Sequence, residues 1–299
     1  MTSEEMAAPV KAYLEQLKQR RSPSTVANYG LDLRRMMKAL AAHDIQTWNQ
    51  VDQYLLMQVV TELSATVSAA SIQRYRSSLR QFYRYLLEQR LVDHDPTQDL
   101  ALPRRVMAEP ATLSVEETLA LIETITGTAP LAIRNRTILE VMYATGLKVS
   151  ELLALTKADL HFNLNFLTVH DHLGKERLVP ISQRAQKWVE KYLQVARPQL
   201  VNSANETAIL FLNVRGGQLS RQAVWQLLKN SAAKAQLQVT VTPEILRASL
   251  KAHLLANQAD YLAVVQILGN RIQNMPLLPL KRIQEVYRTC LPTALEEGE

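Results

Sequence analysis

The stretch Ala144-Thr145-Gly146-Leu147-Lys148-Val149-Ser150-Glu151-Leu152-Leu153-Ala154-Leu155 decides how this chain is read. It closes a helical run that opens at Leu113-Ser114-Val115-Glu116-Glu117, where Ser114 and Glu117 have the spacing of a capping box. Beyond Leu155 the pattern shortens into a β region: Phe166-Leu167-Thr168-Val169, a turn from Asp171 to Gly174, and Arg177-Leu178-Val179-Pro180-Ile181. Ala208-Ile209-Leu210-Phe211-Leu212 offers a further strand, and helices are expected again from Ser220 to the C-terminus.

Upstream, the pattern is helical with little strand signal. Val10, Tyr13, Leu14 and Leu17 recur at helical spacing, as do Tyr29, Leu33, Met36, Met37 and Leu40. Ser22-Pro23-Ser24-Thr25 between them supplies a turn and an N-cap. A long helix opening at Ser71 carries Ile72, Tyr75, Leu79, Phe82, Tyr83 and Leu86 on one face and Arg74, Arg76, Arg80 and Arg84 on the other. Asp95-Pro96 ends this region, and the prolines and paired arginines from Leu102 to Pro110 favour an extended strap. The expected division is a domain over 1–103, a linker over 104–112 and a second domain over 113–299.

The totals agree with a globular chain of two cores: 299 residues, 47% apolar and 21% charged. A net charge of +6 and a pI of about 9.4 fit a nucleic-acid partner without requiring one. Cys290 is the single cysteine, which excludes an internal disulfide and a multi-cysteine zinc site. The six histidines show no metal-ligand spacing, and no cofactor is expected. With no signal-peptide start and no membrane-length apolar run, the chain is read as cytoplasmic.

Taken in order, the segments resemble the tyrosine recombinases, the phage-integrase and Xer superfamily. Ala144 to Leu155 is similar to that family's first catalytic box. Ser22-Pro23-Ser24-Thr25 with Tyr29 and Asp32-Leu33 resembles the opening of its core-binding domain, and Arg74 through Leu86, Asp95-Pro96 and Leu102-Pro103-Arg104 resemble the rest of it. Lys175-Glu176-Arg177-Leu178-Val179-Pro180 resembles the β-hairpin motif. Thr242-Pro243-Glu244-Ile245-Leu246-Arg247, His253-Leu254-Leu255, Ala259-Asp260 and Leu268-Gly269 resemble the second box. Lys281 to Tyr287 resembles the last helix of the Xer branch.

The resemblance implies a mainly α fold: an N-terminal helical SAM-like bundle and a C-terminal α+β domain with a small β-sheet. Together they would clamp double-stranded DNA, in binding that weakens as salt rises. Arg74, Arg76, Arg80, Arg84, Lys148, Lys175, Arg177 and Arg247 are the candidate DNA contacts. The C-terminal helix implies self-association or pairing with another recombinase, and the family's work implies DNA recombination, integration or chromosome partition.

Family chemistry uses a tyrosine to attack a DNA phosphate, with arginines and histidines stabilising the transition state and a lysine protonating the leaving oxygen. Arg247 keeps the second arginine. Lys148 stands at the first, retaining the charge without the planar fork. His172 falls at the catalytic lysine, with Lys175 nearby on the same hairpin. Asn270 replaces a histidine or tryptophan. Glu244 replaces a phosphate-contacting histidine with a like charge, a repulsion of about 1 kcal/mol at 4 Å in water and about 4 at a dielectric of 20. No tyrosine, serine, threonine or cysteine occurs from Arg271 to Leu280, where the nucleophile is expected. Three readings follow: a DNA-binding pseudoenzyme, a rearranged recombinase using Tyr287, Lys175 and Arg247, or a protein-interaction scaffold for a recombinase partner.

Overall fold

The apolar periodicities fold into two separate cores. A computed structural model of the chain describes residues 4–65, 69–98, 111–171, 174–201, 207–270 and 275–296. It divides into unit 1, Met1–Met107, and unit 2, Ala108–Glu299. Up to residue 110, the expected linker lies outside the described residues.

Unit 1 is built from α1 (Glu4–Lys18), α2 (Pro23–Ala41), α3 (Gln53–Ser64) and α4 (Ala69–Glu88). Helix α1 buries Met6, Val10, Tyr13 and Leu17, one residue per turn. Ser22 caps α2 by accepting from the Thr25 N–H at 3.4 Å, and Pro23 sits in the first turn, where a missing N–H costs nothing. Helix α4 starts two residues before the expected Ser71 and buries Ile72, Tyr75, Leu79, Phe82, Tyr83 and Leu86. Trp48 packs edge-on to Phe82, with centroids 4.8 Å apart, while its indole N–H donates to the Met6 carbonyl at 2.9 Å.

Unit 2 comprises α5 (Val115–Glu123), α6 (Pro130–Thr145), α7 (Val149–Ala154), β1 (Leu160–His161), β2 (Phe166–His170), β3 (Glu176–Pro180), α8 (Gln183–Lys191), α9 (Arg197–Leu200), α10 (Arg221–Lys234), α11 (Pro243–Ala256), α12 (Tyr261–Ile267), α13 (Leu280–Cys290) and α14 (Thr293–Glu296). The Ser114/Glu117 capping box forms as expected, with reciprocal bonds of 3.1 and 2.8 Å. Helix α6 is buried almost all round, so its polar groups need internal partners. Glu140, 3% exposed, accepts from Arg136 at 2.9 Å and Arg184 at 3.0 Å, and Arg184 goes on to the Ala294 carbonyl at 3.1 Å.

The three strands pair antiparallel in chain order, Leu167 opposite Val179 and Val169 opposite Arg177. Ala208–Leu212 adds no strand to this sheet; it makes isolated bridges at Ile209 and Leu212. Side chains claim its carbonyls instead. Leu210 O accepts from Tyr192 and Arg197, and Ile209 O from Arg197. The two-residue β1 and the helices α8 and α9 were not part of the sequence reading.

Helix α13, expected to face a neighbour, turns Ile283, Val286, Tyr287 and Cys290 into the core of its own unit. Among the described residues no helix is long and apolar enough to cross a membrane.

Candidate functional site

The site grows from two helix ends that share one cation. Helix α6 stops at Gly146, whose φ of +60° is the left-handed conformation that glycine adopts without strain. Helix α12 is followed at Gly269 by the same device, φ +65°. Each turn leaves a carbonyl at a helix C-terminus, where partial negative charge collects. Arg247 on α11 meets both: its Nη1 donates to Gly146 O at 2.5 Å and its Nη2 to Leu268 O, with a third bond from Nη2 to Asn270 Oδ1 at 3.0 Å. Burial pushes Arg247 below its ordinary pKa, Glu151 opposes that shift and Arg177 adds to it. A guanidinium carries five donors, so Arg247 keeps donors for a ligand.

Behind Arg247 lies a buried ion pair. Arg177 on β3 places Nη1 and Nη2 each 2.9 Å from the two oxygens of Glu151, which is 5% exposed on α7. Glu151 also accepts the Lys148 N–H at 2.9 Å, capping α7. Burial alone would raise the Glu151 carboxyl, but the Arg177 guanidinium and the Lys148 N–H hold it below the ordinary carboxylate value. Gly269 lies flat on this guanidinium: a Cβ there would stand 2.6 Å from Arg177 Cζ and Nε.

The open side of Arg247 is a cleft of about 340 Å³ bordered by Lys148, Arg221, Trp225 and Glu244. Lys148 and Glu244 are both exposed at its rim, and Glu244 makes no ion pair among the described residues. As a first-turn residue of α11, Glu244 is favoured by the helix dipole. Arg221 and Trp225 escaped the sequence reading. The sequence held a signal for Trp225, a tryptophan off the i, i+4 apolar spacing of Val224 and Leu228, and the structure leaves it 44% exposed.

The structure brings together Lys148, Arg177, Glu244, Arg247 and Asn270, with Arg177 engaged by Glu151 instead of solvent. Lys175 is exposed at the hairpin, whose turn is closed by Asp171 N–H to Lys175 O at 2.9 Å. His172 lies outside the described residues.

Tyr287 is 2% exposed, its hydroxyl donates to the Ala144 carbonyl at 2.6 Å, and burial holds its phenol well above the ordinary value. Burial also raises the Cys290 thiol. Of the span expected to hold the nucleophile, Pro276 to Leu278 is pinned to α12 by Gln266, which donates to Pro276 O at 2.8 Å and accepts the Leu278 N–H at 3.2 Å.

In unit 1 the four arginines of α4 divide. Arg74 bonds Asp32, 3% exposed, at 2.9 and 2.8 Å, while about a third of its own side chain, 35%, stays exposed. Arg76 is half-buried, with its Nε unpartnered. Arg80 reaches the Gln98 carbonyl at 3.0 Å, and Arg84 is exposed.

A mainly helical two-unit chain with this small sheet and an arginine seated on two helix ends has the tyrosine recombinase fold. Residues 111–275 match the phage integrase family model, and residues 10–90 match the phage integrase N-terminal SAM-like domain. The tyrosine recombinase XerD of Oceanobacillus iheyensis is 33% identical over 279 residues, 91% of this chain and 94% of the relative. That of Staphylococcus aureus is 35% identical over 268 residues, 89% and 90%. The chain therefore belongs to the phage integrase family and is Xer-like within it. Among solved structures, the XerH recombinase on a palindromic difH substrate matches 88% of this chain and 75% of its own at a TM-score of 0.71 and 18% identity. A lambda integrase dimer on a COC′ core site matches 92% and 98% at 0.69 and 15%. At such identities these two speak for the fold alone.

Proposed function

We propose that the chain binds duplex DNA as a Xer-like recombinase-family protein and does not cleave it, acting in recombination or chromosome segregation through DNA or partner binding in the cytoplasm. The observation that carries this reading is the pairing of an intact cation with a missing nucleophile. Arg247 is held at two helix ends, where a phosphate could meet its free donors. The span from Arg271 to Leu280 has no hydroxyl or thiol, and Tyr287 spends its hydroxyl on Ala144. Lys148 and Arg221 add positive charge at the cleft, and Glu244 sets a carboxylate against the negative charge a cleavage transition state would build. Arg177 positions Glu151 and the α7 turn in this scheme and does not touch DNA itself. The relatives named XerD and the DNA-bound structures of the same fold support the duplex as partner.

Duplex binding measured across a salt series tests the first half. The affinity is expected to fall linearly in log–log form with a slope set by the phosphates neutralised. Flat or absent binding at low salt would remove the reading. A second reading, an active recombinase with a rearranged site, is favoured by the similarity to relatives named tyrosine recombinases. Covalent capture on nicked DNA separates the two. Self-association or pairing with another recombinase would use the face of α13 that Lys281, Arg282, Glu285 and Arg288 leave exposed, since Ile283, Val286, Tyr287 and Cys290 are buried in its own unit.

A further inference from the structure

Leu113, just ahead of α5, is 1% exposed, and side chains of a single distant helix hold both of its backbone polar groups. Its N–H donates to Ser249 Oγ at 2.9 Å, and its carbonyl accepts from His253 Nε2 at 2.9 Å. Ser249 and His253 stand one turn apart on α11, the helix that carries Arg247 two residues before Ser249. The chain is thus gripped, just before it enters α5, by the element that seats the cation of the cleft.

The grip depends on a proton. The Leu113 carbonyl can only accept, so Nε2 carries the hydrogen, and Nδ1 of the neutral ring accepts from the Tyr143 hydroxyl at 2.8 Å. A second proton turns Nδ1 into a donor. The hydroxyl of Tyr143, a residue 1% exposed, must then rotate to accept, and its own hydrogen is left without that acceptor in a buried place. Burial acts in the same direction and lowers the ring's pKa, against the Leu113 carbonyl and Glu116.

Few titratable groups surround the ring. Glu116 on α5 is the only charge that acts on it, and that carboxylate is itself held by the Ser114 hydroxyl at 2.7 Å. Tyr143 on α6 and Tyr287 and Cys290 on α13 are kept neutral by burial, which raises all three. Asp260 caps α12, and Lys251 of α11 lies over the Tyr261 ring.

We propose that Leu113, Ser249 and His253 form a proton-operated latch: neutral His253 holds the segment ahead of α5 on α11, the protonated ring lets it go, and the closed latch steadies the helix that seats Arg247. His253 is then a positioning residue for Arg247 and touches no phosphate itself. Once released, the ring meets water and titrates at its ordinary value of about 6.5, so the latch is closed above that pH and opens as pH falls below it. The latch needs no DNA; only its effect through Arg247 rests on the duplex reading.

Hydrogen exchange at the Leu113 amide of the full chain without DNA, corrected for the intrinsic pH dependence of exchange, tests it between about pH 7.5 and 5.5. Leu113 should exchange faster than the α6 amides of Ile138 and Leu139 at every pH, through local opening. Its protection should fall with pH, by no more than about tenfold per pH unit, the ceiling for one proton. His253→Gln keeps a donor for the Leu113 carbonyl but cannot titrate, so its protection should be lower at the upper pH and flat below it. The ratio of wild-type to His253→Gln duplex affinity at fixed salt should fall over the same range, because only the wild-type latch opens. Equal pH profiles at Leu113 in the two proteins, or exchange there no faster than in α6, would overturn the latch and leave the duplex reading intact. Falling protection with a constant affinity ratio would overturn the link to Arg247. Absent duplex binding at every pH would remove the duplex reading and that link together, while the latch is decided at Leu113 alone.

Discussion

Arg177 and Glu151 face each other through two parallel bonds of 2.9 Å, across 26 residues of chain, and that pair ties the β-hairpin to the turn that carries Lys148. Both partners are largely buried, the side chains 19% and 5% exposed. Removing one partner strands the other, which costs roughly 3–5 kcal/mol. Glu151→Ala should therefore lower the melting temperature by roughly 6–20 °C, at about 2–4 °C per kcal/mol for a unit of this size. The depressed Glu151 carboxyl stabilises the fold above the ordinary carboxylate range of about 4.3, and that share is lost as pH falls through the lower folded value. Thermal melts of both proteins from pH 3 to 7 check both points. A variant as stable as the wild type would mean the pair is incidental.

Gly146 should tolerate no side chain. Its positive φ costs an alanine about 1–2 kcal/mol. A Cβ would also stand 2.6 Å from Leu268 Cδ2 and 3.0 Å from Leu250 Cδ2. Gly146→Ala is expected to lose at least about 2 kcal/mol in urea unfolding, the strain and the overpacking adding together. It should also weaken duplex binding, since the carbonyl that seats Arg247 would shift.

His253 provides a pH dependence distinct from that of Glu151. Its Nε2–H donates to Leu113 O at 2.9 Å, and its Nδ1 accepts from the Tyr143 hydroxyl at 2.8 Å, so the neutral ring is fully bonded. Burial lowers its pKa, against the Leu113 carbonyl and Glu116. The stabilisation is then complete above about pH 6.5 and is lost as pH falls from there through the folded value. His253→Gln should be less stable at pH 8 and flatter between pH 7 and 5. An unchanged slope in that variant would place the titration elsewhere.

Arg247→Ala should weaken duplex binding by about 1.5–3 kcal/mol, the worth of hydrogen bonds to a charged group, or about tenfold to a hundredfold. Lys148→Ala should weaken it less, as a single flexible cation at the rim. Fluorescence anisotropy at fixed salt measures both. Wild-type affinity in the Arg247 variant would mean the cleft has no contact with DNA.

What the sequence disclosed was local. The capping box at Ser114 and Glu117, the buried stripe of α4 and the Asp171–Gly174 turn are each set by spacing within a few residues, and each formed. The glycines at 146 and 269 stood inside readable motifs. The Glu151–Arg177 pair did not, because nothing in a sequence marks which carboxylate a distant arginine meets. The same gap hid Arg74's commitment to Asp32, 42 residues away. Ala208–Leu212 was read as a strand because its apolar run is the same whether neighbouring backbone or Arg197 and Tyr192 satisfy its carbonyls.

One measurement meets directly the proposal that this DNA-binding fold lacks a nucleophile. Incubating the chain with a nicked suicide duplex, in which a cleaved strand end diffuses away, traps any protein–DNA covalent bond for detection on a denaturing gel. No covalent band is expected from the wild type or from Tyr287→Phe, while both shift the same duplex under native conditions with equal affinity. Tyr287→Phe should differ only by the lost bond to Ala144, about 1–3 kcal/mol of stability for a buried carbonyl left unpaired. A covalent band from the wild type that vanishes in Tyr287→Phe would instead establish an active recombinase with a displaced tyrosine.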